Sequence, residues 1–226
     1  TAYEIRNCDW SSDVCSSDLL MARLDRVPAQ RQVAQIGAVL GREFPYEMIC
    51  QLAPFDESAL LTGLEQLVDD ELLYRRGRGA RARYIFKHAL IQDAAYQSLL
   101  RSSRQRYHQK VAELLLQRFP EAVTTQPELL AHHYAEAGLA EQAIRYWREA
   151  GERSLGRAAN AEASAHLRRA LEALAGQPED GARNSLELAL SVSLAGSLSV
   201  IRGYADPEVG AVYTRARELL GEIGRA

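Results

Sequence analysis

Cysteine is scarce in this chain of 226 residues, which contains only three, and long apolar runs are missing. So few cysteines cannot build the disulfide framework of a small secreted domain, and none stands at a Cys/His spacing typical of zinc. No apolar run approaches the ~20 residues that are needed to span a bilayer. These absences predict a cytoplasmic protein that uses no membrane and no metal.

Motifs for catalysis are missing as well. The sequence has no G-x-x-x-x-G-K-[ST] phosphate loop, and the glycines of GRGARARY lie in a predicted hairpin turn. No Ser/His/Asp triad or pair of catalytic carboxylates stands out. The acidic run at residues 69–71 favours a solvated helix end over a metal site. We therefore expect no catalytic residues, no bound cofactor and no enzymatic activity in this stretch of chain.

The first 19 residues follow no secondary-structure period. Read back into codons in a single frame, TAYEIRNCDWSSDVCSSDL resembles the constant parts and the index of a common sequencing adapter. A genuine disordered tail is the alternative. We therefore exclude residues 1–19 from the predicted fold as an artefactual segment. We also expect the natural protein to extend upstream of Leu20 and beyond Ala226.

The rest of the chain is formally neutral. Residues 1–19 hold four of the 30 acidic residues and one of the 27 basic residues, which leaves 26 of each. Such a chain has no global field to attract nucleic acid or an anionic membrane. Of the cysteines, only Cys50 then remains, in the apolar stretch MICQL, where we expect a small buried hydrophobe.

Residues 20–103 are predicted to form a winged-helix domain. Apolar residues recur at helical spacing in three stretches, and Asp56 is the expected N-cap of the third. The expected apolar stripe of that helix consists of Leu60, Leu61, Leu64, Leu67 and Val68. β-Favouring residues then flank Gly77-Arg78-Gly79, which predicts a hairpin, and a further helix follows in HALIQDAAYQSLL.

Residues 104–226 are predicted to form tetratricopeptide-like helical repeats. If Ala131 takes the eighth position of such a unit, then Tyr134, Gly138, Ala143 and Ala150 fall at positions where that motif prefers their residue types. Small residues let two helices approach closely, and Tyr134 fills the space between them. The repeat period is not strict afterwards. The expected fold class is therefore mainly α, with a winged helix followed by stacked helical hairpins.

The stretch YIFKHALIQDAAYQSLLRSSRQRYHQKVAELL, residues 84–115, resembles the end of the winged-helix domain in signal-transduction ATPases with numerous domains. These STAND proteins are regulatory relatives of the AAA+ ATPases, and the resemblance is closest to bacterial predicted ATPases associated with adenylate/guanylate cyclase or kinase domains. LLMARLDRVPAQRQVAQIGAVLGREFPYEMI resembles the start of the same domain. ELLAHHYAEAGLAEQAIRYWREAGE resembles the first repeat behind it.

The resemblance implies a role for His88. Phe86-Lys87-His88-Ala89-Leu90 aligns with a Met-His-Asp-type motif, although Ala89 stands where that motif carries Asp. The histidine of the motif faces the β-phosphate of ADP, so His88 is the candidate ADP-phosphate sensor. ATP or ADP and Mg²⁺ would belong to the parent protein. The alternative is structural: His88 caps the helix or packs under the hairpin.

Two surfaces are further candidates for partners. Tyr134, Tyr146 and Trp147 are expected to pack between repeats or to line a groove that binds a partner. The hairpin is basic, and its arginines are Arg75, Arg76, Arg78, Arg81 and Arg83. The preceding helix is acidic, however, so we expect nucleic acid to be an unfavourable partner.

The sequence thus predicts a regulatory part of a multidomain signalling ATPase. The winged helix would restrain an intramolecular nucleotide-binding domain, and a protein or small-molecule inducer on the repeats would release it. One alternative is a DNA-binding transcription regulator with effector-binding repeats. A second alternative is a plain repeat scaffold.

Overall fold

The computed structural model describes residues 28–224, so the adapter-like segment 1–19 lies outside the described residues. Within that range the protein is mainly helical, with 76% of residues in helix, eleven α-helices and one small three-stranded sheet. The mainly α class that the sequence predicts is therefore confirmed. The chain divides into two compact units, one up to Val111 and one from Ala112. The predicted domain boundary, between residues 103 and 104, falls in the same helix as this division.

The first unit alternates short helices and strands. Its elements are α1 (Pro28–Leu40), β1 (Glu43–Pro45), α2 (Tyr46–Leu52), α3 (Glu57–Asp69), β2 (Leu73–Arg76), a 3-10 turn (Gly79–Arg81), β3 (Arg83–Phe86), α4 (Ala89–Gln97) and the start of α5 (Arg101–Arg118).

The sheet is antiparallel, with the strand order β1-β3-β2. Strands β2 and β3 form the predicted hairpin, in which Tyr74 faces Ile85. Strand β1 was not predicted, because it has three residues and ends in Pro45, which breaks a strand signal. It pairs with the other side of β3, where Phe44 faces Tyr84.

The core of the first unit lies between the sheet and the helices. Phe44 is fully buried, with its ring centroid 5.8 Å from that of Phe86. Asp56 is the N-cap of α3, as predicted, and accepts a hydrogen bond from the backbone N–H of Ala59. The predicted stripe needs a correction at Leu61, which is 38% exposed because it points away from this core. Cys50, expected to be buried, is only half-buried.

The second unit consists of helices. After the end of α5 it contains α6 (Pro120–Thr125), α7 (Pro127–Glu136), α8 (Ala140–Gly156), α9 (Asn160–Ala175), α10 (Gly181–Arg202) and α11 (Pro207–Ile223). From α7 to α11, each helix packs against the next one along the chain. Because the connections are short, neighbouring helices run antiparallel.

Small residues allow the close packing of α7, α8 and α9. Ala131, Ala143, Ala163 and Ala170 are completely buried, and Ala150 is nearly so. Gly138 ends α7 with a φ of 77°, a left-handed conformation that glycine adopts without strain. The residue types that suggested a helical hairpin therefore stand at its close contacts and its turn.

Helix α10 is the longest helix of the described range. By length and composition alone it could cross a membrane, although core helices of water-soluble proteins pass the same test. Its leucines Leu190, Leu194 and Leu198 are buried against the neighbouring helices. Its opposite side, the α10 outer face, is exposed and uncharged. It consists of Ala189, Val192, Gly196 and Val200.

Candidate functional site

His88 is exposed and occupies the N-cap position of α4. Its side chain makes no capping hydrogen bond, and its backbone carbonyl accepts from the N–H of Ile91. The structure therefore gives no support to a capping role or to packing under the hairpin. Neighbouring Lys87 is held in place by Glu71, with Nζ 3.1 Å from Oε2. His88 thus stands at a helix start where backbone N–H groups and an imidazole face solvent together.

The hairpin presents arginines to solvent, as its sequence suggests. Arg75, Arg76, Arg78, Arg81 and Arg83 are all exposed. Arg83 forms an ion pair with Glu43 on the neighbouring strand. The side of α3 that faces solvent carries Glu57, Glu65 and Asp69. The first unit therefore offers a basic hairpin beside an acidic helix.

A histidine that the sequence reasoning left aside lies in the core of the first unit. His108 on α5 is 1% exposed, and its Nε2 lies 2.9 Å from the hydroxyl of Tyr96 on α4. The Arg104 guanidinium lies over the Tyr96 ring, 4.3 Å from its centroid. Tyr96 therefore connects the helix that begins after His88 to α5.

The three aromatic residues predicted to bind a partner do not form one surface. Tyr134 is 7% exposed and stacks on Tyr146, with centroids 5.7 Å apart and ring planes 11° apart. Burial raises the pKa of the Tyr134 hydroxyl. This stack fixes α7 to α8. Trp147 instead lines a groove on another part of the same unit.

The groove is formed by α7, α8 and α9 and has a volume of about 590 Å³. We call it the repeat groove. Its floor is apolar and includes Ala143 and Trp147, both buried. Charged and polar side chains surround this floor: His132, Glu136, Arg169 and Glu172. The volume lies within the ~300–1,000 Å³ that is typical of small-molecule sites.

Two polar side chains pack against the ring of Trp147. The His166 ring lies 5.4 Å from the Trp147 ring, with planes 20° apart. The Arg169 guanidinium carbon lies 4.7 Å from the Trp147 ring centroid. Both come from α9, and the pairing fixes that helix to α8 through cation–π and stacking contacts. The Arg169 guanidinium is thereby held at the groove.

Two histidines near the groove are held toward their neutral form. Burial lowers the pKa of His132, the nearby Glu136 raises it, and Arg169 lowers it further. Burial also lowers the pKa of His166, whose Nδ1 is buried without a hydrogen-bond partner among the described residues. His133 next to His132 is buried and points to the core. A charged imidazole is therefore disfavoured both at His132, which lines the groove, and at His166, which stacks on Trp147.

Sequence reasoning identified Trp147 as a candidate groove residue but missed the charged side chains around it. Glu136, Arg169 and Glu172 belong to α7 and α9, and only the packing of these helices places them beside Trp147. No sequence spacing indicates such a site. Within residues 28–224, no group of three His, Cys, Asp or Glu side chains could hold a metal ion.

The chain is similar to an uncharacterized protein of Rhizobium meliloti (strain 1021). The two are 30% identical over 202 residues, which are 89% of this chain and 20% of the relative. The chain therefore spans about a fifth of the length of the curated relative that it matches. No protein-family model matches the chain. No solved structure matches it.

Proposed function

We propose that this chain is the regulatory part of a larger cytoplasmic signal-transduction ATPase. A winged helix in the first unit restrains a nucleotide-binding domain of the parent protein. Tetratricopeptide-like hairpins in the second unit bind the inducer that relieves this restraint. The chain itself carries no catalytic group, and ATP or ADP and Mg²⁺ bind in the parent domain.

The order of elements carries this proposal. The first unit runs helix–strand–helix–helix–strand–strand, with sheet order β1-β3-β2, and this order supports the proposed winged helix. Stacked helical hairpins follow it directly. The similarity to one fifth of a much longer relative supports a multidomain parent. A winged helix followed by helical repeats would allow an inducer on the repeats to relieve a restraint that the winged helix imposes.

His88 supports the restraint. Its exposed imidazole and the first N–H groups of α4 together favour an anionic group. A phosphate of ADP bound to the parent domain has the required charge. Contact with His88 would stabilise the closed state only while ADP is present.

The decisive experiment changes His88 in the full-length parent protein. His88→Ala should reduce the retention of ADP and raise the basal signalling output of the parent protein. Gln97 is exposed at the other end of α4, and Gln97→Ala should change neither. A parent protein with unaltered nucleotide retention and output would contradict the restraint and favour a plain scaffold. The purified chain of 226 residues should show no ATP turnover, and measurable turnover would contradict the proposal directly.

DNA binding is the second candidate, favoured by the exposed arginines of the hairpin. Lys and Arg contacts to phosphates give affinity that falls steeply with salt. The acidic face of α3 opposes entry into a major groove, since Glu57, Glu65 and Asp69 would meet phosphates. Salt-dependent binding to duplex DNA, lost on replacing Arg76 and Arg78 by Ser, would favour this function over the first. No binding at low salt would remove it.

A further inference from the structure

The repeat groove combines charges of both signs around an apolar floor. Arg169 supplies a cation on α9, and Glu136 and Glu172 supply two carboxylates on α7 and α9. All three side chains are exposed. Such a rim does not suit a ligand with charge of one sign only.

Arg169 has the properties of a carboxylate-binding group. Its guanidinium is held over Trp147, and within residues 28–224 it makes no ion pair or side-chain hydrogen bond. A guanidinium offers five donors in a planar fork that matches a carboxylate. Because stacking on Trp147 already restricts the side chain, binding costs less conformational entropy than at a mobile arginine. Trp147 therefore presents the fork to the groove.

The two carboxylates of the groove favour a cation. Glu136 is the last residue of α7, and Glu172 lies in the last turn of α9. The C-terminal end of a helix carries a partial negative charge, which adds to that of the two carboxylates. Glu172 has no ion pair within the described residues. An ammonium group would find compensation here, whereas a phosphate or a second carboxylate would be repelled.

Beside these charged side chains lies the apolar floor of Ala143 and Trp147. From this arrangement we propose that the repeat groove binds a zwitterionic ligand, a free amino acid or a short peptide. Its carboxylate is held by Arg169, and its ammonium group is held by Glu136 and Glu172. This inference rests on the proposed role of the repeats as the inducer-binding part and gives that inducer a chemical class.

Trp147 allows a direct test on the whole chain. The protein has two tryptophans, so Trp10→Phe leaves Trp147 as the only one. The probes are leucine, tri-leucine, tri-leucine amidated at its C-terminus and tri-leucine acetylated at its N-terminus. Either leucine or tri-leucine should change the Trp147 fluorescence in a saturable way, and comparison of the two distinguishes amino acid from peptide. Amidation and acetylation should each weaken binding about tenfold or more, since each removes one charge-assisted contact.

Matched variants locate the site. Arg169→Gln should weaken binding of the unmodified ligand about tenfold and abolish its preference over the amidated form. Glu172→Gln should abolish the preference over the acetylated form. Arg145→Gln is the control, because Arg145 also lies over an aromatic ring, that of Tyr146, but does not line the groove. Circular dichroism verifies that each variant keeps its helices.

Two results would overturn the inference. One is that neither leucine nor tri-leucine changes the Trp147 fluorescence in a saturable way up to about 10 mM, a concentration well above the range of specific sites. The other is that the amidated peptide binds as tightly as the unmodified one. Neither result bears on His88 and ADP retention in the parent protein. Conversely, the fluorescence titration can succeed if the ATPase proposal fails, because it uses no nucleotide. The two hypotheses are therefore tested separately.

Discussion

Gly151 on α8 faces Leu167 on α9 so closely that a Cβ at position 151 would lie 2.9 Å from both Cγ and Cδ2 of Leu167. Leu167 is itself completely buried. The contact lets the two helices approach beside the repeat groove. The distance between Trp147 on α8 and Arg169 on α9 depends on this close packing of the two helices.

Gly151→Ala should therefore destabilise the second unit, although alanine is the better helix former. Forcing a methyl group against Leu167 should cost about 1–3 kcal/mol in free energy of unfolding. Gly156→Ala in the same helix is the control, because nothing lies within 4 Å of its Cβ position, and it should be neutral or stabilising. Urea unfolding followed by Trp147 fluorescence in the Trp10→Phe background measures both. Equal stability of the two variants would contradict this packing.

Gly37 and Phe44 form the corresponding contact of the first unit. A Cβ at position 37 would lie 2.6 Å from Cζ of the fully buried Phe44. Gly37→Ala should lower the free energy of unfolding by about 1–3 kcal/mol. Adding Phe44→Leu should make the Gly37→Ala change less costly than it is alone, since the clash is relieved. Circular dichroism during denaturant unfolding measures the free energies of all four proteins in this double-mutant cycle. If the effects of the two substitutions were strictly additive, the contact would be refuted.

The second unit should lose stability as the solution is acidified from about pH 7 to about pH 5. Burial lowers the pKa of His132 and of His166 in the folded state. The unfolded chain therefore takes up protons first as the pH falls, which favours unfolding. Glu128 and Glu162 partly offset the effect at His166, whereas Arg169 and Arg157 add to it.

Replacing His166 by Gln should reduce this pH dependence, as measured by the melting temperature of the second unit. His88→Gln provides the control, since His88 is exposed in the other unit. If the acid-induced fall in melting temperature were the same for His166→Gln and for the parent chain, His166 would have no part in it.

Glu187 connects α10 to α11. Its Oε1 accepts a hydrogen bond from Nε of Arg215 at 2.8 Å, and its Oε2 lies 3.7 Å from a terminal nitrogen of Arg183. The Glu187 side chain is only 14% exposed, and its hydrogen bond raises the pKa of Arg215. Glu187→Gln should lower the free energy of unfolding by about 1.5–3 kcal/mol, because it weakens a charged hydrogen bond.

Glu218→Gln serves as the comparison for Glu187→Gln. Glu218 lies 3.7 Å from Arg215 on the same helix and is well exposed, so its loss should cost little. Denaturant unfolding measures both variants. A similar loss of stability for the two would show that burial of Glu187 adds nothing.

Local signals in the sequence predicted most of the helices. Asp56 before α3 and Gly138 after α7 are residue types that favour helix ends, and apolar spacing marked the helices between such points. The hairpin was predictable from Gly77 and Gly79, both of which have positive φ in the structure. Strand β1 was not, because its pairing with β3 depends on residues 40 positions away.

The candidate site was less predictable than the fold. Trp147 stood out as an aromatic residue in a small-residue helix pair, but Arg169 lies 22 positions further along the chain, among four other arginine and leucine residues of α9. Only tertiary packing selects it as the neighbour of Trp147. Tyr134 and Tyr146, in contrast, stack on each other and do not line the groove. Periodicity reveals which side of a helix is buried, and not which residues meet across two helices.

The α10 outer face has a practical consequence for handling the protein. An exposed side without charge, with Val192 51% and Val200 71% accessible, lacks the repulsion that keeps molecules apart in concentrated samples. Around Gly196 there is open space, with no atom within 4 Å of a Cβ position. A lysine at residue 196 would therefore fit without disturbing the core and should improve colloidal behaviour at the concentrations that crystallisation and NMR require.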